Sequence, residues 1–341
     1  MNEPYLWDRS GTPDPEISQL EEMLASLRMA ESTPDFHPLP QLSLVARCTA
    51  FLLRHWMVPV AAASAAAVLF ATWLAMSPPA ISSSDWEARA VSGASELAGK
   101  KLKVQQLLPG QWLATDKNST VHLRAGTIGE IEIAGDSLVS LAEVRQDRQR
   151  LSLRHGFIHA RISAPPGLFI VDMPAARATD LGCEYSLKIA RDGSGELRVF
   201  TGWVDLSYIY KQSLVPAGAA ARIAADGTLS PPYFEDATEE FKQALLDFSF
   251  GESGSERHRE ALETLLRHSR QRDALTLISL FPRADIEERL KIFDRLNQLV
   301  PAPSSITRQN ARDWEINSMN DWWPLIEKQL GLSAIKKGLS R

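Results

Sequence analysis

Between Trp56 and Met76 the chain reads WMVPVAAASAAAVLFATWLAM, without one charged residue. About 20 apolar residues in a helix cross the ~30 Å hydrocarbon core of a bilayer, so this run governs what lies on either side of it. More than fifty residues precede it, whereas secretory signals begin within a few residues of the N-terminus. A single spanning helix over 56–76 is therefore expected in place of a cleaved leader. Trp56 and Trp73 lie near its ends, where amphipathic rings favour the interface. Pro59 falls in the first turn, where a missing N–H costs little, and Ser77-Pro78-Pro79 stops the helix. Arg47, Arg54 and His55 flank one side, and Asp85, Glu87 and Arg89 the other. The positive-inside tendency then places the N-terminus in the cytoplasm. The alternative, a buried Ala-rich core helix, seldom lacks every charge over this length.

The 341 residues, 44% of them hydrophobic, leave room for two modest globular domains. A net charge of -5, with no window holding the large Lys and Arg surplus that phosphate neutralisation needs, gives no electrostatic footprint for a nucleic-acid partner. The two cysteines, Cys48 and Cys183, fall on opposite sides of the expected span, so no intramolecular disulfide is predicted. Both read as small apolar residues.

Before the span, Asp14-Pro15-Glu16 combines an N-cap residue, a proline at the first helical position and a carboxylate suited to the helix dipole. Ile17, Leu20, Leu24 and Leu27 then share one face, predicting an amphipathic helix in a head over 1–30. One such stripe cannot bury itself. It needs Tyr5-Leu6-Trp7, the segment 42–53, another subunit or a different protein, or it closes on itself as a small hairpin. Tyr5, Leu6, Trp7, Ile17, Leu20, Leu24 and Leu27 are the candidate partner-binding residues. A proline-rich tether and juxtamembrane segment, 31–55, joins the head to the span.

After a linker over 77–99 the pattern turns to alternation: Val121 and Leu123, Ile131 and Ile133, Leu151 and Leu153, Leu197 and Val199, Val204 and Leu206. Period two predicts half-buried strands, with turns at Pro109-Gly110 and Asp192-Gly193. The pieces VHLRAGTI, LSLRHGFI and LRVFTGWV repeat one device, two alternating apolar residues and then a glycine, at Gly126, Gly156 and Gly202. Each reads as a strand, a tight corner and a strand. An all-β sandwich or solenoid-like domain over 100–232 is expected.

Within it, GLFIVDMPAARATDLGCEYSLKI resembles the FecR domain of bacterial transmembrane signalling regulators, with Phe169, Val171, Pro174, Leu181, Gly182 and Tyr185 matching the family pattern in order. FTGWVDL, containing Gly202, is similar to the family's glycine-plus-valine strand, and VPAGAAARI, containing Gly218, to its Pro-Gly turn. The likeness covers Leu102 to Ile223. Met173 and Cys183 stand where the family has Thr, and Asp116-Lys117 where it has Asp-Gly. The resemblance implies a single-pass protein of the inner membrane with a periplasmic β-domain that senses an envelope signal or docks an envelope protein or ligand. Inside, it implies regulation of a sigma factor, as an anti-sigma signal transducer. YLWDRSGTPDPEISQLEEML resembles the opening of the matching cytoplasmic domains, while the C-terminal region differs from the receptor-docking module of iron-uptake regulators. A membrane-tethered envelope scaffold or binding module is the rival reading.

From 233 to 341 the spacing becomes helical. Asp236 with Glu239 reads as a capping-box start, followed by Phe241, Leu245 and Phe248 on one face. Leu262, Leu265 and Leu266 mark a second helix; Leu275, Ile278 and Phe281 a third, stopped by Pro282; Leu290, Phe293, Leu296 and Val300 a fourth, stopped by Pro301. Trp314, Trp322 and Trp323 belong to a last helical region that Pro324 interrupts or starts, and helical hairpins or a bundle are expected. The fold class is thus mainly β plus α.

No GxSxG, HExxH, Walker loop or GxGxxG run is present. His155 and His159 lack a third ligand nearby, and Asn118-Ser119-Thr120 reads as a polar turn. No catalytic residue, metal or cofactor is expected, and the chain reads as a non-enzyme.

Overall fold

The computed structural model describes residues 86–209, 211–313 and 321–331. The expected span 56–76, the head, the tether and Trp314 lie outside these residues. Among the described residues no helix is long and apolar enough to cross a membrane.

Alternating apolar positions fold the β region into a continuous ladder of seventeen strands in two layers. The first layer runs, in spatial order, β4 (Val104–Gln106), β1 (Trp86–Ser92), β6 (Thr120–Ala125), β7 (Gly129–Ile133), the second half of β9 (Gln149–Ile162), β12 (Glu184–Ile189), β13 (Gly195–Thr201), β16 (Ala219–Ile223) and β17 (Tyr233–Phe234). All of its pairs are antiparallel. The second layer runs β3 (Lys100–Lys101), β2 (Ser95–Leu97), β5 (Trp112–Thr115), β8 (Leu138–Val144), the first half of β9, β10 (Phe169–Met173), β11 (Ala176–Asp180), β14 (Trp203–Tyr208) and β15 (Lys211–Pro216). Among the described strands only β9 and β10 pair in parallel. The chain crosses between layers every one or two strands, a sandwich made by winding.

The inward faces meet in one core. Val121, Leu123, Ile131 and Ile133 of the first layer pack with Leu141, Leu151, Leu153 and Val171 of the second, each buried side chain contributing about 1.5–3 kcal/mol. Trp86 stacks near Phe169, ring centroids 6.3 Å apart, and donates its indole N–H to Gln149 at 3.1 Å.

The three glycine pieces do three different things. Gly126 (φ +52) turns the β6–β7 hairpin within one layer. Gly156 (φ +112) bends the single strand β9 from one layer into the other, where a Cβ would come within 2.4 Å of Ser137 Cα. Gly202 (φ +71) makes a corner between layers. It stacks so closely on the corner at Gly182 (φ +89) that a Cβ would meet the Gly182 carbonyl oxygen at 2.2 Å. Backbone bonds knit these corners together: Leu181 N–H donates to Trp203 O at 3.2 Å, and Ala217 N–H to Gly202 O at 2.9 Å.

One expectation changes here. Residues 86–97, read as linker, form β1 and β2, because β1 is held by pairing with β6 and β4, which local composition does not record.

Among the described residues six α-helices follow: α1 (Glu239–Phe250), α2 (Glu256–His268), α3 (Ala274–Leu280), α4 (Ile286–Leu299), α5 (Arg308–Asp313) and α6 (Trp323–Leu330). Thr238 caps α1, its Oγ1 accepting from Phe241 N–H at 3.2 Å. Asp236, expected as that cap, instead binds Arg270 and Arg272 at 3.1 and 2.9 Å, since two guanidinium groups from the turn before α3 outbid the helix end. Pro324 lies in the first turn of α6 and starts it. Phe241, Leu262, Leu277, Phe293 and Trp322 share a second core. It is sewn to the sandwich at β16 and β17. Ala220 and Tyr233 join the helical core, Leu275 joins the β-core, and the Arg272 guanidinium lies 4.1 Å over the Phe234 ring.

Candidate functional site

The β12–β13 hairpin ends in the Asp192-Gly193 turn, where Asp192 accepts from Ser194 N–H at 2.9 Å and from its hydroxyl at 2.6 Å. These bonds, the hydroxyl first, hold the Asp192 carboxyl below the usual range. The turn displays Arg191, which ion-pairs with Asp136 on the neighbouring corner. Below it, Gly195 lets β13 approach β12, since a Cβ would sit 2.4 Å from Lys188 O. Across from the hairpin stands the end of α1 with Leu246 and Phe250, the latter 38% exposed.

Between them lies an open groove of about 950 Å³. Phe157, Ile189 and Ile223 give it an apolar floor, while Lys188, Arg191 and Arg222 face Asp136, Asp192 and Glu196 around the rim. Arg222 reaches Glu196 at 3.4 Å. His155 lines one wall, its pKa pushed down by burial and then by Arg191. An apolar floor with a rim of both charge signs suits a peptide segment or a polar ligand, held by contact area and oriented by charge.

The Gly156 bend sends His155 and His159 into different layers. His159 lies 2.9 Å from Glu184 and stacks on Phe200 at 5.2 Å. Glu184 is held low by Arg161 first and His159 next. No group of three metal-ligating side chains gathers among the described residues.

A second polar cluster is buried at the β11–β12 corner. Asp180 accepts from Gly182 N–H at 2.7 Å and from the Cys183 thiol. Burial raises its pKa to about 6, and burial together with the Asp180 charge pushes the Cys183 thiol up. The Tyr185 hydroxyl beside them is buried, and burial pushes it up as well. A thiol raised in this way is a poor nucleophile.

The residues singled out from sequence map elsewhere. Tyr5, Leu6, Trp7, Ile17, Leu20, Leu24 and Leu27 lie outside the described residues. Phe169, Val171 and Tyr185 are fully buried in the β-core. Pro174 is exposed at the β10–β11 turn, and Gly182, Gly202 and Gly218 take left-handed conformations at corners. These residues frame the fold, and none of them lines the groove. Sequence reasoning found the Asp192-Gly193 turn but not the pairing of Arg191 with Asp136, 55 positions away. The helical wall at Phe250 carried no local signal either.

No family model matches the chain, and no curated protein does. Two crystal structures of a candidate anti-sigma factor from Parabacteroides distasonis, at 1.65 and 2.50 Å resolution, are similar to it at 16% identity and a TM-score of 0.32. The match covers 40% of this chain and 64% of theirs, so this chain spans less than two thirds of the length of those structures.

Proposed function

We propose that the chain is a single-pass transmembrane signal transducer that regulates a cytoplasmic sigma factor in response to an envelope signal met by its exported β-domain. The reading is carried by one observation, the uncharged run 56–76 standing between an amphipathic stripe and a strand-rich region whose sequence resembles the FecR domain. The head's stripe of Ile17, Leu20, Leu24 and Leu27 is the proposed sigma-factor contact. The groove beside Arg191 and Phe250 is the proposed point of entry for the envelope signal. Neither step makes or breaks a covalent bond, so the role is non-enzymatic.

The test is capture by the full-length protein, solubilised from its native membranes. A sigma factor should copurify and be lost in a Leu20→Asp, Leu24→Asp variant. Failure to enrich any sigma factor, with envelope proteins still recovered, contradicts the reading. That outcome favours the second one, an envelope binding module, which the open groove supports on its own.

A further inference from the structure

We propose that the free end of the sandwich, built from β1 to β4, docks on an anionic lipid bilayer. The proposal rests on the membrane-anchored reading above. At this end both layers stop at exposed edge strands, β3 with two residues and β4 with three. Lys100, Lys101 and Lys103 project here, all exposed. Among the described residues the lysine ion pairs are made by Lys242 and Lys291; Lys100, Lys101 and Lys103 make none within 4 Å, and only Lys101 has a carboxylate opposite it, Glu96 across the β2–β3 pair.

Elsewhere on the outer face of the first layer, charges are arranged in alternating rows. Glu87, Arg124, Glu130, Arg161 and Glu184 oppose one another on successive strands. Lys101 has one such partner in Glu96, whereas Lys100 stands opposite Leu97 and Lys103 lies outside the paired strands, so the cluster keeps a basic surplus. Between Trp86 and Trp112 four basic residues face two acidic ones, a surplus of two in a chain whose net charge is -5.

Lysines on a short edge strand also discourage pairing with another sheet. Guarding an edge does not call for exposed apolar side chains, yet Val91 is 58% and Val104 is 51% exposed, and Trp112 of the next strand but one is 39% exposed. Aliphatic side chains, an indole and unpaired ammonium groups are what the headgroup region of an anionic bilayer accepts. A second copy of the chain is a poorer occupant, since two- and three-residue strands make a short ladder and would bring like charges together. Nine residues, 77–85, separate the expected span from β1. Fully extended, nine residues reach at most about 32 Å, a short tether for a domain anchored by that span.

The experiment uses the full chain reconstituted in vesicles of phosphatidylcholine alone, or with one third phosphatidylglycerol, and compares site-resolved lysine acetylation by mass spectrometry. Lys100, Lys101 and Lys103 should react about fivefold more slowly on the anionic vesicles, and high salt should remove the difference. Lys188, exposed in the groove, serves as the reference and should not change. A variant with Val91→Ser and Val104→Ser keeps the lysines and should lose much of the protection, with unaltered hydrogen exchange elsewhere reporting an intact fold. Equal reactivity on both vesicles overturns the proposal. If the chain fails to float with vesicles after an alkaline wash, the anchored reading falls and the proposal with it. If it floats and the lysines stay reactive, the proposal alone falls.

Discussion

Asp180 sits fully buried at the turn that carries the chain from β11 into β12, and burial outweighs its hydrogen bonds in raising its pKa to about 6. The folded state therefore binds the proton more tightly than the unfolded chain, where a carboxyl titrates near 4. The sign follows from linkage. This group's contribution is most favourable below pH ~4 and is lost as pH rises through ~6, on the order of 3 kcal/mol in all. Urea unfolding of the wild type should fall in stability across that window, and Asp180→Asn should flatten the profile. An unchanged slope in the variant would assign the titration to another group. Beside it, Cys183 is 3% exposed with its thiol pushed up by burial. In a Cys48→Ser background maleimide should modify it only after denaturant is added, and rapid labelling of the folded protein would contradict the buried corner.

Among the elements, the stacked corners carry the fold. Gly182 and Gly202 share positive φ, but a Cβ meets open space at the first and a carbonyl oxygen at the second. Gly182→Ala should cost only the left-handed conformation, about 1–2 kcal/mol, while Gly202→Ala should cost that plus the displacement of a corner, above ~3 kcal/mol. Equal melting points for the two variants would show the corners to be loosely stacked. This is also where the limit of the sequence lies. Strands such as Val121 to Leu123 were legible because their period is local, and the glycine device marked three positions with positive φ, Gly126, Gly156 and Gly202. The use of each glycine, as hairpin, bend or corner, depended on which strand lay alongside. β1 escaped notice for the same reason, and so did the groove, whose walls come from two corners, a hairpin and a helix far apart in the chain.

At the scale of the whole molecule, the helices close the β16–β17 end of the sandwich, and α3 sends Leu275 into the β-core. Leu275→Ala should cost about 2–5 kcal/mol and destabilise helices and strands together in one transition. Separate transitions by far-ultraviolet dichroism and tryptophan fluorescence in the wild type would contradict a shared core. The proposed function joins two compartments, with the groove and corners outside and the leucine stripe inside. The most direct measurement is labelling by a membrane-impermeant maleimide in cells with only the outer membrane permeabilised. Glu252→Cys, at the exposed turn between α1 and α2, should be modified at once, and native Cys48 only after the inner membrane is lysed. Protection of Glu252→Cys until lysis, or modification of Cys48 before it, would contradict the account.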